Sequence, residues 1–151
     1  MTIPIPAFKH SFRITLENVA DANDPEYFYA VEGLGFMYQV DKYYPGGYGN
    51  PYSMPVMYET ENLTLKRPLF EKKSKITKWC EEALSTGIFK PTTAHIFILN
   101  NDKTPNNHWT AERVYPIGLR LSPLDLESGD SIVMETITLV YSKLNRIDIK
   151  A

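Results

Sequence analysis

Apolar and polar residues alternate strictly from Ser11 to Leu16, with Phe12, Ile14 and Leu16 on one side and Ser11, Arg13 and Thr15 on the other. That period of two predicts a half-buried strand. Asp21 to Pro25 is dense in turn formers and separates it from a β-rich run, Tyr27 to Val31. Gly33 and Gly35 then break the pattern, which predicts a bulge or bend before Phe36, Tyr38 and Val40 resume it. After an irregular stretch, Val56 to Arg67 reads as strand, with Leu63 and Leu65 facing opposite to Asn62, Thr64 and Lys66, and Pro68 ends it.

Between Glu71 and Thr86 the period changes. Ile76, Trp79, Cys80, Ala83 and Leu84 form one stripe of an amphipathic helix, Lys72, Lys73, Lys75, Lys78, Glu81 and Glu82 lie mostly on the wet side, and Gly87 is placed to stop it. An apolar helical stripe must lie on something, and in this chain that surface is a sheet. Strands then return. Ala94 to Leu99 is nearly continuous apolar sequence, Asn100 to Asn107 is a turn cluster, and Trp109 to Tyr115 is the expected hairpin partner, which would bring His95 near Glu112. Ile117, Leu119 and Leu121 alternate next, and Ser122 to Asp130 connects to a last strand, Ile132 to Tyr141. That strand puts Val133, Glu135, Ile137, Leu139 and Tyr141 on one face and Ile132, Met134, Thr136, Thr138 and Val140 on the other. The sum is seven or eight strands and one helix in a single domain over residues 1–151, with a core built on Leu63, Leu65, Ile76, Trp79, Cys80, Trp109, Ile137 and Leu139.

Composition narrows the function classes. The 151 residues carry a formal charge of −2, which offers no excess of Lys or Arg for sequence-independent binding of nucleic acid. The single cysteine rules out an internal disulfide, and no Cys/His set has zinc-finger spacing. The first eight residues, with prolines at 4 and 6, lack the basic start and unbroken apolar run of a signal peptide, so cytoplasmic synthesis is expected. Prolines and glycines interrupt the uncharged run from Tyr43 to Tyr58, so it is not expected to cross a bilayer as a helix.

Candidate chemistry is thin. Cys80 sits on the apolar helical stripe beside Glu81 and Glu82, where packing rather than nucleophilicity is expected; a Cys80–His95 pair is the weakest enzymatic reading. His10, His95 and His108 lack the spacing of a metal triad. Gly33-Leu34-Gly35 begins like a dinucleotide fingerprint, but Tyr38 stands where its third glycine belongs and no helix follows. The Pro45–Asn50 segment lacks the Lys-Ser/Thr of a phosphate loop. No catalytic residue, cofactor or metal is expected.

The segment Asp41 to Pro55 is the most unusual, because four of the ten tyrosines lie in it: Tyr43, Tyr44, Tyr48 and Tyr52. Irregular segments of this length tend to be functional or disordered, and this one is too aromatic for disordered chain. Its rings require a surface, either the domain's own, as a compact loop, or that of another subunit. Unpaired sheet edges argue for the second.

The order of features, from the alternating strand through the Gly-broken strand and long arm to the helix, resembles the tail-tube family of contractile-tailed phages and phage-like contractile injection systems. The carrying residues are Asn62-Leu63-Thr64-Leu65-Lys66-Arg67 after the arm, Trp79 in the helix, Trp109 in the hairpin, Tyr115-Pro116 after it, and Glu135 to Leu139 near the end. The resemblance covers Phe12 to Leu144, and departs from the family at Pro68, where Gly is common. It implies a mainly β fold of two packed antiparallel sheets, sandwich- or barrel-like, with one amphipathic helix at the side. It implies hexameric rings stacked into a hollow tube, with the arm at about 41–55 reaching a neighbour. Sheath, baseplate and spike proteins are the implied partners, a payload passes through the lumen, and neither specific nucleic-acid binding nor membrane insertion by the chain alone is expected. Assembly is expected in the cytoplasm, into a phage-tail-like particle. The subunit-interface residues expected on this reading are Tyr43, Tyr44, Tyr48, Tyr52, Met54, Lys66 and Arg67, the last two as an exposed strand end facing acids of an adjacent ring. A tube-initiator ring shares these features, and a monomeric β-sandwich using the tyrosines as a binding platform for a sugar or peptide is the alternative of a different class.

Overall fold

The computed structural model describes residues 11–20, 25–47, 49–127 and 132–149. Among them the order is β1 (Ser11–Leu16), β2 (Glu26–Phe28), β3 (Ala30–Glu32), β4 (Phe36–Tyr43), β5 (Tyr52–Thr60), β6 (Leu63–Pro68), α1 (Lys75–Thr86), β7 (Thr92–Leu99), β8 (Pro105–Leu121), β9 (Met134–Val140) and β10 (Lys143–Ile147). The fold is mainly β with one helix: a large antiparallel sheet in the order β2-β1-β7-β8-β9-β6-β3, with β10 added on β8, and a separate two-stranded sheet, β4-β5.

The two halves expected to pack on each other are parts of one sheet, continuous through β8. This strand spans 17 residues and pairs first with β7 and β10, then with β9. It reads in the sequence as two segments because its inward positions do not alternate. Arg113 adopts φ 55° at a bulge against β7, so Ala111 and Val114, three apart, both point into the core. The register also differs from the expected one, because β8 begins at Pro105 rather than at Trp109: His95 lies opposite Thr110, while Glu112 lies opposite Lys143.

The sheet rolls until its ends meet. Its terminal strands β2 and β3 are consecutive pieces of chain, broken at Tyr29, whose N–H donates to Lys66 O at 2.8 Å. The 26–32 segment therefore pairs with β1 through one half and with β6 through the other. One core cluster fills the interior, with Ile14, Leu16, Leu63, Leu65, Ile76, Cys80, Ile96, Ile137 and Leu139 fully buried and Trp79 and Trp109 half-buried against it.

Helix α1 starts later than the charged run suggested, because Ser74 caps it by accepting from Thr77 N at 3.1 Å. Gly87, at φ 73°, ends it by donating to Ala83 O at 2.9 Å. Beneath the first turn lies the largest departure from expectation. Arg67, read as an exposed strand end, is 4% exposed. Its Nη1 donates to Glu26 Oε1 at 2.7 Å, its Nε to Glu135 Oε2 at 3.2 Å and its Nη2 to Thr77 Oγ1 at 3.0 Å and to Ser74. The guanidinium also lies over the Phe28 ring at 4.4 Å. The alternation Leu63-Leu65-Arg67 was continuous, and the cluster is the reason that an arginine can occupy its third inward place.

Candidate assembly surface

Residues 41–55, expected as an irregular arm, belong to an ordered hairpin. Strands β4 and β5 pair from Phe36↔Thr60 to Tyr43↔Tyr52, with a register shift between Gln39 and Val40 that leaves Val56 without an opposite number. The expected single strand from Val56 to Arg67 is thus two, β5 and β6, separated at Glu61-Asn62.

Both faces of this hairpin are exposed and both carry large apolar side chains. One carries Phe36, Tyr38, Val40 and Tyr58, with ring centroids 5.9 Å apart for Phe36–Tyr58 and 5.5 Å for Tyr38–Tyr58. The other carries Met37, Met54, Met57, Tyr43 and Tyr52, crossed by a Gln39–Glu59 hydrogen bond. Exposure of these side chains runs from 38% at Tyr58 to 64% at Tyr52, where a monomer normally hides large apolar groups. Tyr43, Tyr44, Tyr52 and Met54 all lie on this exposed arm; Tyr48 lies outside the described residues. Sequence reading missed Phe36, Met37, Tyr38, Val40, Val56 and Met57 as part of the same surface. A signal was present, since two alternating runs flank a Pro45-Gly46-Gly47 turn.

The arm leaves the body at Gly33-Leu34-Gly35 and returns at Glu61-Asn62. Gly33 takes φ 93°, and a Cβ there would stand 1.9 Å from Asn62 O, so only glycine fits. Leu34 packs against the core, and Glu61 N donates to Gly35 O at 3.2 Å. Tyr141, 4% exposed, completes this root from the end of β9.

Of the other singled-out residues, Lys66 is partly exposed and paired with Glu32 of the same chain at 3.5 Å, and Arg67 has its partners inside the fold. The Cys80–His95 nucleophile pair is overturned. Cys80 is in the core with Ala94 and Ile96, so His95, between those two on β7, points to the opposite side of the sheet. There its Nδ1 lies 3.1 Å from His108 Nε2 and its Nε2 3.2 Å from Glu17 Oε1. Burial lowers the His108 pKa, assisted by His95 and Arg13. Burial, then the negative charge of Glu135, pushes the Cys80 thiol up to about 12. The thiol is therefore expected to ignore Ellman's reagent at pH 8 in the native chain and to react fully in guanidinium; rapid native reaction would place it at the surface. Among the described residues no group of three or more His, Cys, Asp or Glu could hold a metal ion, and no helix is long and apolar enough to cross a membrane.

A model of the family described as T4-like virus tail tube protein gp19 matches residues 6–145. No curated protein sequence matches the chain. Among solved structures, the chain is similar to one from the six-fold symmetrised baseplate of the anti-feeding prophage, with TM-score 0.80, 19% identity and full coverage of both chains. A chain of the sheath–tube complex of an extracellular contractile injection system in its extended state aligns with TM-score 0.77 and 23% identity, covering 97% of this chain and 93% of that one. A chain of that system's sheath/tube terminator aligns with TM-score 0.76 and 24% identity, covering 97% and 98%.

Proposed function

The chain belongs to the T4-like virus tail tube protein gp19 family, a family of structural, non-enzymatic proteins, and from that premise we propose that it is an inner-tube subunit of a contractile injection particle. Copies of it close into six-membered rings that stack around a lumen. The observation that carries this reading is the β4-β5 arm: an ordered hairpin with large apolar side chains on both faces that the other described residues leave exposed. An isolated hairpin gains its burial only from a partner, and the partner available at a fixed stoichiometry is another copy.

Ring closure calls for a heterologous contact, one patch of each copy meeting a different patch of the next. A protruding arm supplies one side of such a contact. Tyr43, Tyr44, Tyr52 and Met54 are assigned to it together with Phe36, Tyr38, Val40 and Met57, and Lys66 to its rim. Arg67 has no place in it. The sheath surrounds the tube and the baseplate sits at its end, in keeping with the sheath–tube and baseplate complexes in which similar folds occur. Similarity to a tube-terminator chain supports a second reading, a single ring at one end of the tube, and a baseplate likeness extends the same alternative to an initiator ring. The net charge of −2 suits a lumen that does not retain its payload.

Native mass spectrometry and negative-stain microscopy of the purified chain test the reading. Hexamers and rings or short tubes are expected; a monomer at every attainable concentration would overturn it in favour of a binding module. Copy number per particle separates the two assembly roles, many rings for the tube against one for a terminal ring.

A further inference from the structure

Among the described residues the arm's two strands pair only with each other, so its direction relative to the body is set at its root. Among the described residues, the side-chain hydrogen bonds that join this root to the rest of the fold converge on Tyr141. Its hydroxyl lies 2.7 Å from Gly33 O and 2.9 Å from Gly35 O, and it accepts from Gly35 N at 3.3 Å. Its own carbonyl accepts from Thr60 Oγ1 at 2.9 Å. One residue thus holds both strands of the hairpin where they meet the body: the outgoing chain through its hydroxyl, the returning chain through its backbone.

A ring packed in the core does not require this. The aromatic ring alone would satisfy the burial, and the hydroxyl carries a desolvation cost unless it is bonded. The bonds it makes go to the two glycines that bracket Leu34, a segment whose backbone has no side-chain bulk of its own to fix it at positions 33 and 35. We propose that Tyr141 is the positioning residue of the arm, a latch whose hydroxyl fixes the direction in which the hairpin leaves the body and so presents it preformed to the next copy. The proposal rests on the arm being the ring-forming element. A latched arm meets its neighbour without first being ordered, and it does not fold back to hide its apolar faces against its own body.

Spin labels at Gly46→Cys in the arm's turn and Glu82→Cys on the exposed side of α1 report the arm's direction, and the buried Cys80 thiol stays unlabelled. In dilute, monomeric full-length chain the label-to-label distance is expected to be narrowly distributed. Tyr141→Phe keeps the ring, and is expected to keep the circular dichroism of the body, while at least doubling the width of that distribution. Loss of one such bond corresponds to about a tenfold rise in the concentration at which rings form. An unchanged width overturns the latch. A broadened distribution with ring formation at the original concentration leaves the latch standing and overturns instead the role of the arm in assembly. If Tyr141→Phe lowers the folded fraction, the same variant is measured in a stabilising osmolyte at which its circular dichroism matches that of the parent chain: broadening there supports the latch, and an unchanged width overturns it.

Discussion

Replacing Arg67 with alanine is expected to cost about 3–5 kcal/mol of folding stability, the usual range for removing one partner of a buried ion cluster. The guanidinium lies between the carboxylates of Glu26 and Glu135 and contacts both directly. Without it two buried carboxylates face each other across a cavity. Glu26 would keep its bond from Ile76 N at 2.9 Å, and Glu135 its bond from Thr77 Oγ1 at 3.0 Å, so some compensation survives; neither bond supplies a counter-charge. The cluster also sits where the rolled sheet closes, joining β2, β6, β9 and the first turn of α1, so its loss loosens four elements at once. Arg67→Lys should recover less than half, because one ammonium cannot span Glu26, Glu135, Ser74 and Thr77 together. Urea unfolding at fixed protein concentration measures both variants, and a drop of roughly 10 °C or more in Tm should accompany the alanine change. A loss below about 1 kcal/mol, the scale of an exposed pair, would mean that the cluster is solvated.

That cluster also marks the limit of what alternation reveals. The inward face of β6 was legible as Leu63 and Leu65, and that of β9 as Ile137, Leu139 and Glu135. Alternation placed Glu135 on the face of Ile137 and Leu139, and Arg67 continues the alternation of Leu63 and Leu65; it was nevertheless read as exposed, since a lone charge at the end of a strand is ordinarily solvated and its two carboxylates lie 41 and 68 residues away. A contact at such separation leaves no local trace. Helix α1 was readable because its stripe, its C-terminal Gly87 and its length are all local features. Strand β8 was not, since a bulge at Arg113 reset its inward positions, and β10, a five-residue edge strand with one buried side chain at Leu144, shows no period at all.

The arm illustrates the opposite failure. Its tyrosines were conspicuous and its need for a surface followed from them, but its strands were read only in part: the run Phe36, Tyr38 and Val40 was visible, while Met37, Tyr43, Tyr52, Met54 and Met57 on the second face were not recognised as belonging to the same hairpin. Alternation detects a strand with one wet side; this hairpin carries large apolar side chains on both faces, interspersed with Gln39, Asp41, Lys42 and Glu59, so neither face reads as the wet one. The feature that obscured its secondary structure is therefore the one that points to its use.

Excising residues 37–59 and joining Phe36 to Thr60 through Asn-Gly is expected to abolish ring and tube formation while leaving the body folded. Phe36 and Thr60 are already cross-strand partners, so a two-residue turn closes the gap without moving either. The body should unfold within about 1 kcal/mol of the intact monomer, because the core cluster contains no residue of the excised segment. Assembly loses far more. Among the described residues, ten exposed large apolar side chains lie in the excised segment, from Met37 to Tyr58, and covering the exposed half of each is worth on the order of 10 kcal/mol in total. Association itself costs about 4–15 kcal/mol per contact, so the arm supplies the principal driving force but leaves ring closure dependent on further contacts along the body. A smaller tip deletion, Gly46 to Tyr52, removes only part of that surface and should raise the concentration needed for rings rather than eliminate them. Sedimentation velocity across a concentration series distinguishes the two. Rings formed by the armless body at the concentration used by the intact chain would show that the contact between copies lies elsewhere.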